Sequence, residues 1–160
     1  MYQAAATRLC TGMTYRHRYM TSSGPAPRGD AHAEMQLLAS VPSLVDAPES
    51  LLAAMVDLGH VVNVRPHWAL LAEKTAPEKA YLLLHGEVDV RRAGEDLGRC
   101  RSGEILGELG IVRRRLRSAT VVTATEATVL HLGVPAFEQL RAEHAYFRTL
   151  VGEAVDRKSA

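Results

Sequence analysis

The spacing of hydrophobic residues changes once along the chain, near His60. Between residues 34 and 59, apolar side chains recur every three or four positions, as on one face of a helix. After His60, the apolar residues stand in short runs that are β-branched or alternate with polar ones. The pattern therefore predicts a helical lead-in followed by a sheet.

Two short helices are predicted in the lead-in. The first begins at Glu34 and ends before Pro42. The second follows a capping box from Asp46 to Glu49, with Pro48 in its first turn, and ends at a glycine, residue 59. Their apolar stripes are typical of core packing rather than of contacts with a cofactor.

Six runs after residue 60 have the length and composition of strands. They are separated by prolines and glycines at near-regular intervals, which is typical of a sandwich or barrel. Two helices are predicted after them, one opened by Pro135 and one that begins near Ala145. The six runs are 61–64, 69–72, 81–84, 87–91, 118–122 and 128–132, and the breaks fall at Pro66, Pro77, Gly86, Gly98 and Gly103.

Size and charge narrow the function classes. The chain has 160 residues, of which 47% are hydrophobic and 23% charged, as expected for one globular domain. The net charge of +1 gives no argument for a nucleic-acid partner. Residues 1–33 hold four arginines and one aspartate, so they carry +3 and the remainder −2. We predict a disordered or loosely ordered arm over 1–33 and one domain over 34–160.

Cysteine content and hydropathy predict a cytoplasmic location without a membrane partner. Cys10 and Cys100 are interpreted as two free thiols in a reducing compartment. No apolar run approaches the roughly 18 residues that span a bilayer.

The stretch from residue 103 to residue 121 carries the candidate chemistry. Glu108 follows a glycine, Gly107, at the start of a short predicted helix, and Arg117 stands nine positions later. On a straight helix these two side chains would point to opposite faces, so they meet only if the chain folds back through residues 113–116. A helix N-terminus, a glycine and a forked cation together suit a phosphate, and a carboxylate suits sugar hydroxyls. We predict a pocket for a small sugar phosphate.

These residues resemble the phosphate-binding cassette of cyclic-nucleotide-binding domains, the type found in the bacterial catabolite activator and in protein kinase A regulatory subunits. The family pattern is roughly F-G-E-x-A-L followed by R-x-A-T-V, and this chain has LGELGI at 106–111 and RSATV at 117–121. The resemblance covers residues 34–157. It implies an α+β, mainly β fold: an antiparallel β-barrel of the jelly-roll type (double-stranded β-helix), with N-terminal helices and a C-terminal helix pair.

The resemblance also implies roles for individual residues. Glu108 is expected to bind the ribose 2′-hydroxyl and Arg117 the cyclic phosphate. Ser118 stands where the family tunes purine choice, and serine there favours cAMP over cGMP. The expected ligand contacts are Gly107, Glu108, Leu109, Gly110, Arg117, Ser118 and Ala119.

Departures from the family pattern lead to further expectations. The family usually has glycine at the positions of His67 and Lys74, so those turns are either built differently or strained by about a kcal/mol. Gly110 replaces a common alanine, which loosens the short helix by roughly 0.5–1 kcal/mol. Tyr146 and Phe147 are placed either against the ligand or in hinge packing, and we favour the packing role.

The sequence thus predicts a cyclic-nucleotide sensor that signals through its C-terminal helices to a protein partner or by self-association. The first alternative keeps the fold without the ligand, as a protein-interaction module. The missing turn glycines favour this alternative, whereas Glu108 and Arg117 oppose it.

A metal-dependent barrel enzyme is the remote alternative. Four histidines, His60, His67, His85 and His131, are its candidate ligands, but none belongs to a His-x-His pair with a carboxylate close by. No nucleophile or P-loop motif is present, so neither catalytic residues nor a metal site is predicted.

Overall fold

Residues 29–159 are described by the structure, a computed structural model, and form five helices and eight strands. Our prediction of a disordered arm therefore lies mostly outside the described residues. The helices are α1 (Ala31–Ala39), α2 (Glu49–Leu58), α3 (Glu108–Arg113), α4 (Val134–Glu143) and α5 (Ala145–Ser159), with a 3₁₀ turn at Pro42–Leu44. The strands are β1 (His60–Val64), β2 (Ala69–Leu71), β3 (Lys79–His85), β4 (Val88–Arg92), β5 (Glu95–Cys100), β6 (Ile105–Leu106), β7 (Thr120–Thr123) and β8 (Ala127–Gly133).

The strands form two antiparallel four-stranded sheets. One has the order β1-β8-β3-β6 and the other β2-β7-β4-β5. Each of the six predicted runs overlaps a strand, and the α+β, mainly β jelly-roll architecture with helices at both ends is confirmed. None of the helices among residues 29–159 has the length and apolar character that crossing a membrane requires.

The lead-in helices differ in their first residues from the prediction. Helix α1 begins three residues early, because the side chain of Asp30 caps it by accepting a 3.0 Å hydrogen bond from His32 N. The capping box at Asp46 was wrong. Pro48 occupies the N-cap position of α2, where no side chain accepts a hydrogen bond, and its carbonyl accepts a 3.0 Å bond from Leu51 N.

Strand β5 was missed because its sequence lacks an apolar face. Five of its six residues are exposed, so no alternating pattern marks it. Gly98, which we interpreted as a break between strands, lies inside β5 with φ of +129°. It pairs with Val90 where the register of β4 and β5 shifts by one residue, and glycine is the residue that such a bulge tolerates best.

Two apolar clusters lie on either side of the first sheet, and β3 contributes to both. Tyr81 and Leu83 point into the barrel, whereas Leu82 and Leu84 point towards the helices. This alternation explains why β3 reads as one continuous apolar run, since a strand buried on both faces needs no polar side. The helix-side cluster also includes Leu51, Met55, Phe137, Leu140, Phe147 and Val151, and it fixes α4 and α5 against the barrel.

The turns that lack the family's glycines keep a glycine-like backbone. His67 has φ of 60° and Lys74 has φ of 64°, so the strained alternative is correct. Hydrogen bonds to the barrel hold both turns: His67 N donates to Thr123 O at 2.7 Å, and Lys74 N donates to Arg117 O at 2.8 Å. The second bond ties one strained turn to the loop that carries the candidate anion-binding arginine.

Candidate functional site

The fold-back between Glu108 and Arg117 is confirmed. Helix α3 ends at Arg113 and is capped by Arg114, whose φ of 51° and ψ of 51° reverse the chain. The loop then returns to the barrel, where Arg117 N donates a 2.9 Å hydrogen bond to Thr75 O. Leu116 remains 58% exposed, while the next residue is only 5% exposed. The chain therefore turns outward for one residue and inward for the next.

The guanidinium of Arg117 is buried and bonded to backbone carbonyls. Its Nη1 donates to Gly107 O at 2.6 Å, and its Nη2 donates to Lys79 O. Within residues 29–159 it forms no ion pair with a carboxylate. Burial lowers the pKa of Arg117, against the opposing influence of Tyr81 and Glu108, yet a guanidinium stays charged at neutral pH. The result is a fixed, desolvated cation.

Gly107 permits the approach of this cation. It caps α3 in the left-handed region, with φ of +85°. A Cβ at this position would lie 2.5 Å from Arg117 Nη1 and 2.9 Å from Leu71 Cδ1. Glycine is therefore required both by the backbone angle and by the space that the arginine occupies.

Glu108 is the first residue of α3, and it is completely buried. Its Oε1 lies 2.8 Å from Nζ of Lys158, and its Oε2 accepts a 3.0 Å hydrogen bond from the same ammonium. Lys158 lies in the last turn of α5 and also donates to Ile105 O at 2.6 Å. An ion pair thus joins the start of α3 to the end of the chain's last described helix.

A cavity of about 480 Å³ opens between α3, the β4–β5 hairpin and the end of α5. All seven residues predicted as ligand contacts line it. The structure adds wall residues that the sequence did not reveal. Those that carry charge or a thiol are Arg92, Arg99, Cys100, Glu104, Arg157 and Lys158, and Leu97 supplies an apolar side chain that is 50% exposed.

Positive charge predominates on the cavity wall. Five cationic side chains and two carboxylates contribute to it. One cation, Arg99, is already paired with Asp89 at 2.8 Å and Glu87 at 2.9 Å, neither of which lines the cavity. The cavity therefore suits an anion, and the positive charge that would balance it is concentrated at the buried Arg117.

The comparison with known families supports this geometry. The profile of the cyclic nucleotide-binding domain family matches residues 61–144, more than half of the chain. The chain belongs to the cyclic nucleotide-binding domain family.

Relatives of this cyclic nucleotide-binding domain include ion channels and kinases. Potassium/sodium hyperpolarization-activated cyclic nucleotide-gated channel 2 of Mus musculus is 26% identical over 126 residues, 76% of this chain and 15% of the channel. The cGMP-dependent protein kinase of Toxoplasma gondii is 28% identical over 125 residues, 76% of this chain and 12% of the kinase. The chain thus spans less than a sixth of either relative's length.

A solved structure shows the same fold. The cAMP-binding acyltransferase from Mycobacterium smegmatis superposes with a TM-score of 0.67 at 22% identity, over 81% of this chain and 42% of that one. At this level of identity, the similarity supports a shared fold and nothing further.

Tyr146 and Phe147, the two aromatic residues for which ligand contact was considered, do not line the cavity. Phe147 packs edge-on against Phe137 at 5.6 Å, and the hydroxyl of Tyr146 donates to Ser43 O at 2.8 Å. Both residues therefore have the packing role that we favoured. Among residues 29–159 no group of three or more histidine, cysteine or acidic side chains is arranged to hold a metal.

Cys100 is a free, half-buried thiol in the cavity wall. Burial, with the nearby Glu104 as the next cause, raises the pKa of this thiol to about 11. A thiol that stays protonated is a poor nucleophile, so Cys100 acts as part of the wall.

Proposed function

We propose that this domain is a sensor that binds cAMP in preference to cGMP, with the cyclic phosphate on Arg117 and the ribose 2′-hydroxyl on Glu108. The observation that carries the proposal is a buried guanidinium, without a carboxylate partner among residues 29–159, beside a cavity of about 480 Å³. That volume falls within the roughly 300–1,000 Å³ of small-molecule sites.

Arg117 has donors to spare for a phosphate. A guanidinium carries five N–H groups, and two of them are used by the carbonyls of Gly107 and Lys79. These bonds fix the plane of the group and leave the others for an anion. A cyclic phosphate brings one negative charge, which balances a buried cation that forms no ion pair with a carboxylate among residues 29–159. Binding therefore needs no rearrangement of Arg117 itself.

Ser118 supports the preference for cAMP. It lines the cavity next to Arg117, and its carbonyl accepts a 3.0 Å hydrogen bond from Arg92 Nε, which holds this loop against β4. The resemblance stated above associates serine at this position with cAMP. The similar acyltransferase is named for cAMP and the similar kinase for cGMP, so the purine preference needs a direct measurement.

The proposed output is mechanical rather than catalytic. Helix α5 contributes Arg157 and Lys158 to the cavity wall, so a ligand in the cavity changes the surroundings of the last turn of α5. A protein partner or a second copy of the chain in the cytoplasm would read that change. Its size is limited by the difference in ligand affinity between the two positions of α5.

Titration calorimetry with cAMP and cGMP tests the binding proposal. The wild type should bind cAMP more tightly than cGMP. Arg117→Ala should weaken binding by about 10- to 100-fold or more, the worth of a charge-assisted contact of roughly 1.5–3 kcal/mol. Arg115→Ala, which removes an exposed arginine two positions away, should leave affinity within a factor of about two. No heat from the wild type at near-millimolar cAMP or cGMP would overturn the proposal.

The second candidate function is a protein-interaction module with an unused pocket. One observation favours it: the carboxylate of Glu108 is already paired with Lys158, whose ammonium bonds Oε2 and lies 2.8 Å from Oε1, so the chain itself fills the proposed ribose site. A wild type that binds neither nucleotide, with Arg117→Ala equally stable and equally inert, would support this candidate over the sensor.

A further inference from the structure

Glu108 forms part of the cavity wall, yet none of its surface is exposed. The group that lies against its two oxygens is the ammonium of Lys158, at 2.8 Å and 3.0 Å, whose own side chain is 32% exposed. A hydroxyl that enters the cavity therefore cannot reach the carboxylate while the ammonium stays in place.

The ammonium is held at both ends of this contact. It donates hydrogen bonds to Glu108 Oε2 at 3.0 Å and to Ile105 O at 2.6 Å, and it lies 2.8 Å from Glu108 Oε1 as an ion pair, although Oε1 accepts no hydrogen bond among residues 29–159. A second contact holds the same turn of α5: Arg113 Nη2 donates a 2.5 Å hydrogen bond to Ser159 Oγ. The last turn of α5 is thus fastened at two points, one of which is the proposed ribose acceptor.

The rest of α5 is anchored independently of this turn. Phe147, Val151 and Ala154 are buried at 1%, 2% and 1% exposure, and the first two belong to the helix-side core. Arg157, by contrast, is exposed. The last turn can therefore leave the cavity while the preceding turns stay packed against the barrel.

We propose that Lys158 is a latch that competes with the ligand's 2′-hydroxyl for Glu108, so that cyclic nucleotide binding releases the last turn of α5. This inference rests on the proposed function. It assigns the conformation in which the last turn of α5 is fastened to the ligand-free state. Because the latch must open before the ribose contact forms, it lowers the apparent affinity for the ligand, and the ligand weakens the latch by the same factor.

The first test replaces Lys158 by methionine, which keeps the length of the side chain and removes the charge. Lys158→Met should tighten cAMP binding by about fivefold or more, the lower end of typical coupling between two sites. This sign is diagnostic, because deleting a cation from the wall of an anion site would by itself weaken binding. Arg157→Met is the matched control, since it removes a neighbouring cation that has no hydrogen bond to Glu108; it should weaken binding or leave it unchanged.

The second test removes the hydroxyl from the ligand instead. With 2′-deoxy-cAMP, which has nothing to place on Glu108, the gain from Lys158→Met should vanish. A gain of equal size with both ligands would overturn competition at the ribose. Ser159→Ala removes the Arg113 contact but neither charged group, and it should tighten cAMP binding in the same direction by a smaller factor.

Hydrogen exchange in the wild type reads the latch directly. Saturating cAMP should speed exchange of the amides at 156–159, whereas saturating 2′-deoxy-cAMP should leave them unchanged. Slower exchange of these amides with cAMP would overturn the latch and show that the turn closes on the ligand. Binding of cAMP by the wild type with no gain in Lys158→Met overturns the latch alone. If neither protein binds cAMP, the proposed function fails, and the latch with it.

Discussion

The carbonyl of Gly107 accepts a 2.6 Å hydrogen bond from Nη1 of Arg117, and the same glycine leaves no room there for a side chain. A residue at the start of α3 thus fixes a side chain that lies ten positions further along the chain. The contact links the backbone conformation of the cassette to the position of its cation. Substitutions at Gly107 should therefore change stability and ligand binding together.

Gly107→Ala should destabilise the protein and abolish tight cAMP binding. The alanine pays about 1–2 kcal/mol for a left-handed backbone, and its Cβ collides with the guanidinium. Gly94→Ala is the control, because Gly94 has φ of +83° and nothing within 4 Å of the added Cβ. Urea unfolding measures the loss of stability in both variants, and calorimetry measures their affinity for cAMP. Equal affinities in the two variants would contradict the proposed role of Gly107.

Lys74→Gly should be more stable than Lys74→Ala by about 1 kcal/mol. Lys74 has φ of 64°, which costs a residue with a Cβ more than it costs glycine. Both substitutions remove the same exposed side chain, so the comparison isolates the backbone conformation. The midpoint of urea denaturation measures the difference. Alanine equal to or better than glycine would show that the turn carries no strain.

Gly152→Ala should stabilise the protein by about 0.5–1 kcal/mol. The glycine lies in the interior of α5, where alanine is the better helix former, and the added Cβ would meet nothing within 4 Å. Gly110→Ala in α3 should increase stability by less, because the added Cβ would lie 3.0 Å from Pro77 Cβ and 3.1 Å from Arg115 O. Thermal unfolding of both variants checks the order, and a larger gain for Gly110→Ala would contradict it.

His131 should make the protein less stable as the pH falls from about 6.5 to about 4. Burial, with Lys79 and His60 as further causes, lowers its pKa from 6.5 to about 4. In that window the unfolded chain binds a proton that the folded protein excludes, so unfolding becomes easier as acid is added. His131→Gln should flatten the dependence of unfolding free energy on pH over this range. Parallel curves for variant and wild type would rule out this contribution.

Local chemistry made much of the candidate site predictable. The convergence of Glu108 and Arg117 on one pocket was inferred from the glycine before the acid, and it required the chain to fold back through residues 113–116. Positive φ at His67 and Lys74 was one of two stated alternatives, and the structure selected it. In each case a short motif or a single position carried the signal, and the fold then holds the result through hydrogen bonds from distant segments, such as that of Lys74 N to Arg117 O.

Other features had no local signal. The exposed strand β5 shows no alternation, and the capping box at Asp46 was wrong because Pro48 is itself the N-cap. Basic residues such as Arg157 and Lys158 are common at the C-terminal end of any helix, where they offset the helix dipole. Nothing in their spacing indicated that one of them lies against Glu108.

The sequence by itself determined the helical lead-in and the short strands of a sandwich or barrel, which follow from periodicity. The family and the jelly-roll architecture followed from the resemblance of its acid–arginine cassette to a known motif. Only the tertiary structure decided which group contacts the carboxylate of Glu108. Lys158 lies 50 positions from Glu108, and the packing of Phe147 and Val151 against the barrel sets where the end of α5 falls. A contact between such distant positions depends on the summed geometry of every element between them, and no local pattern records that sum.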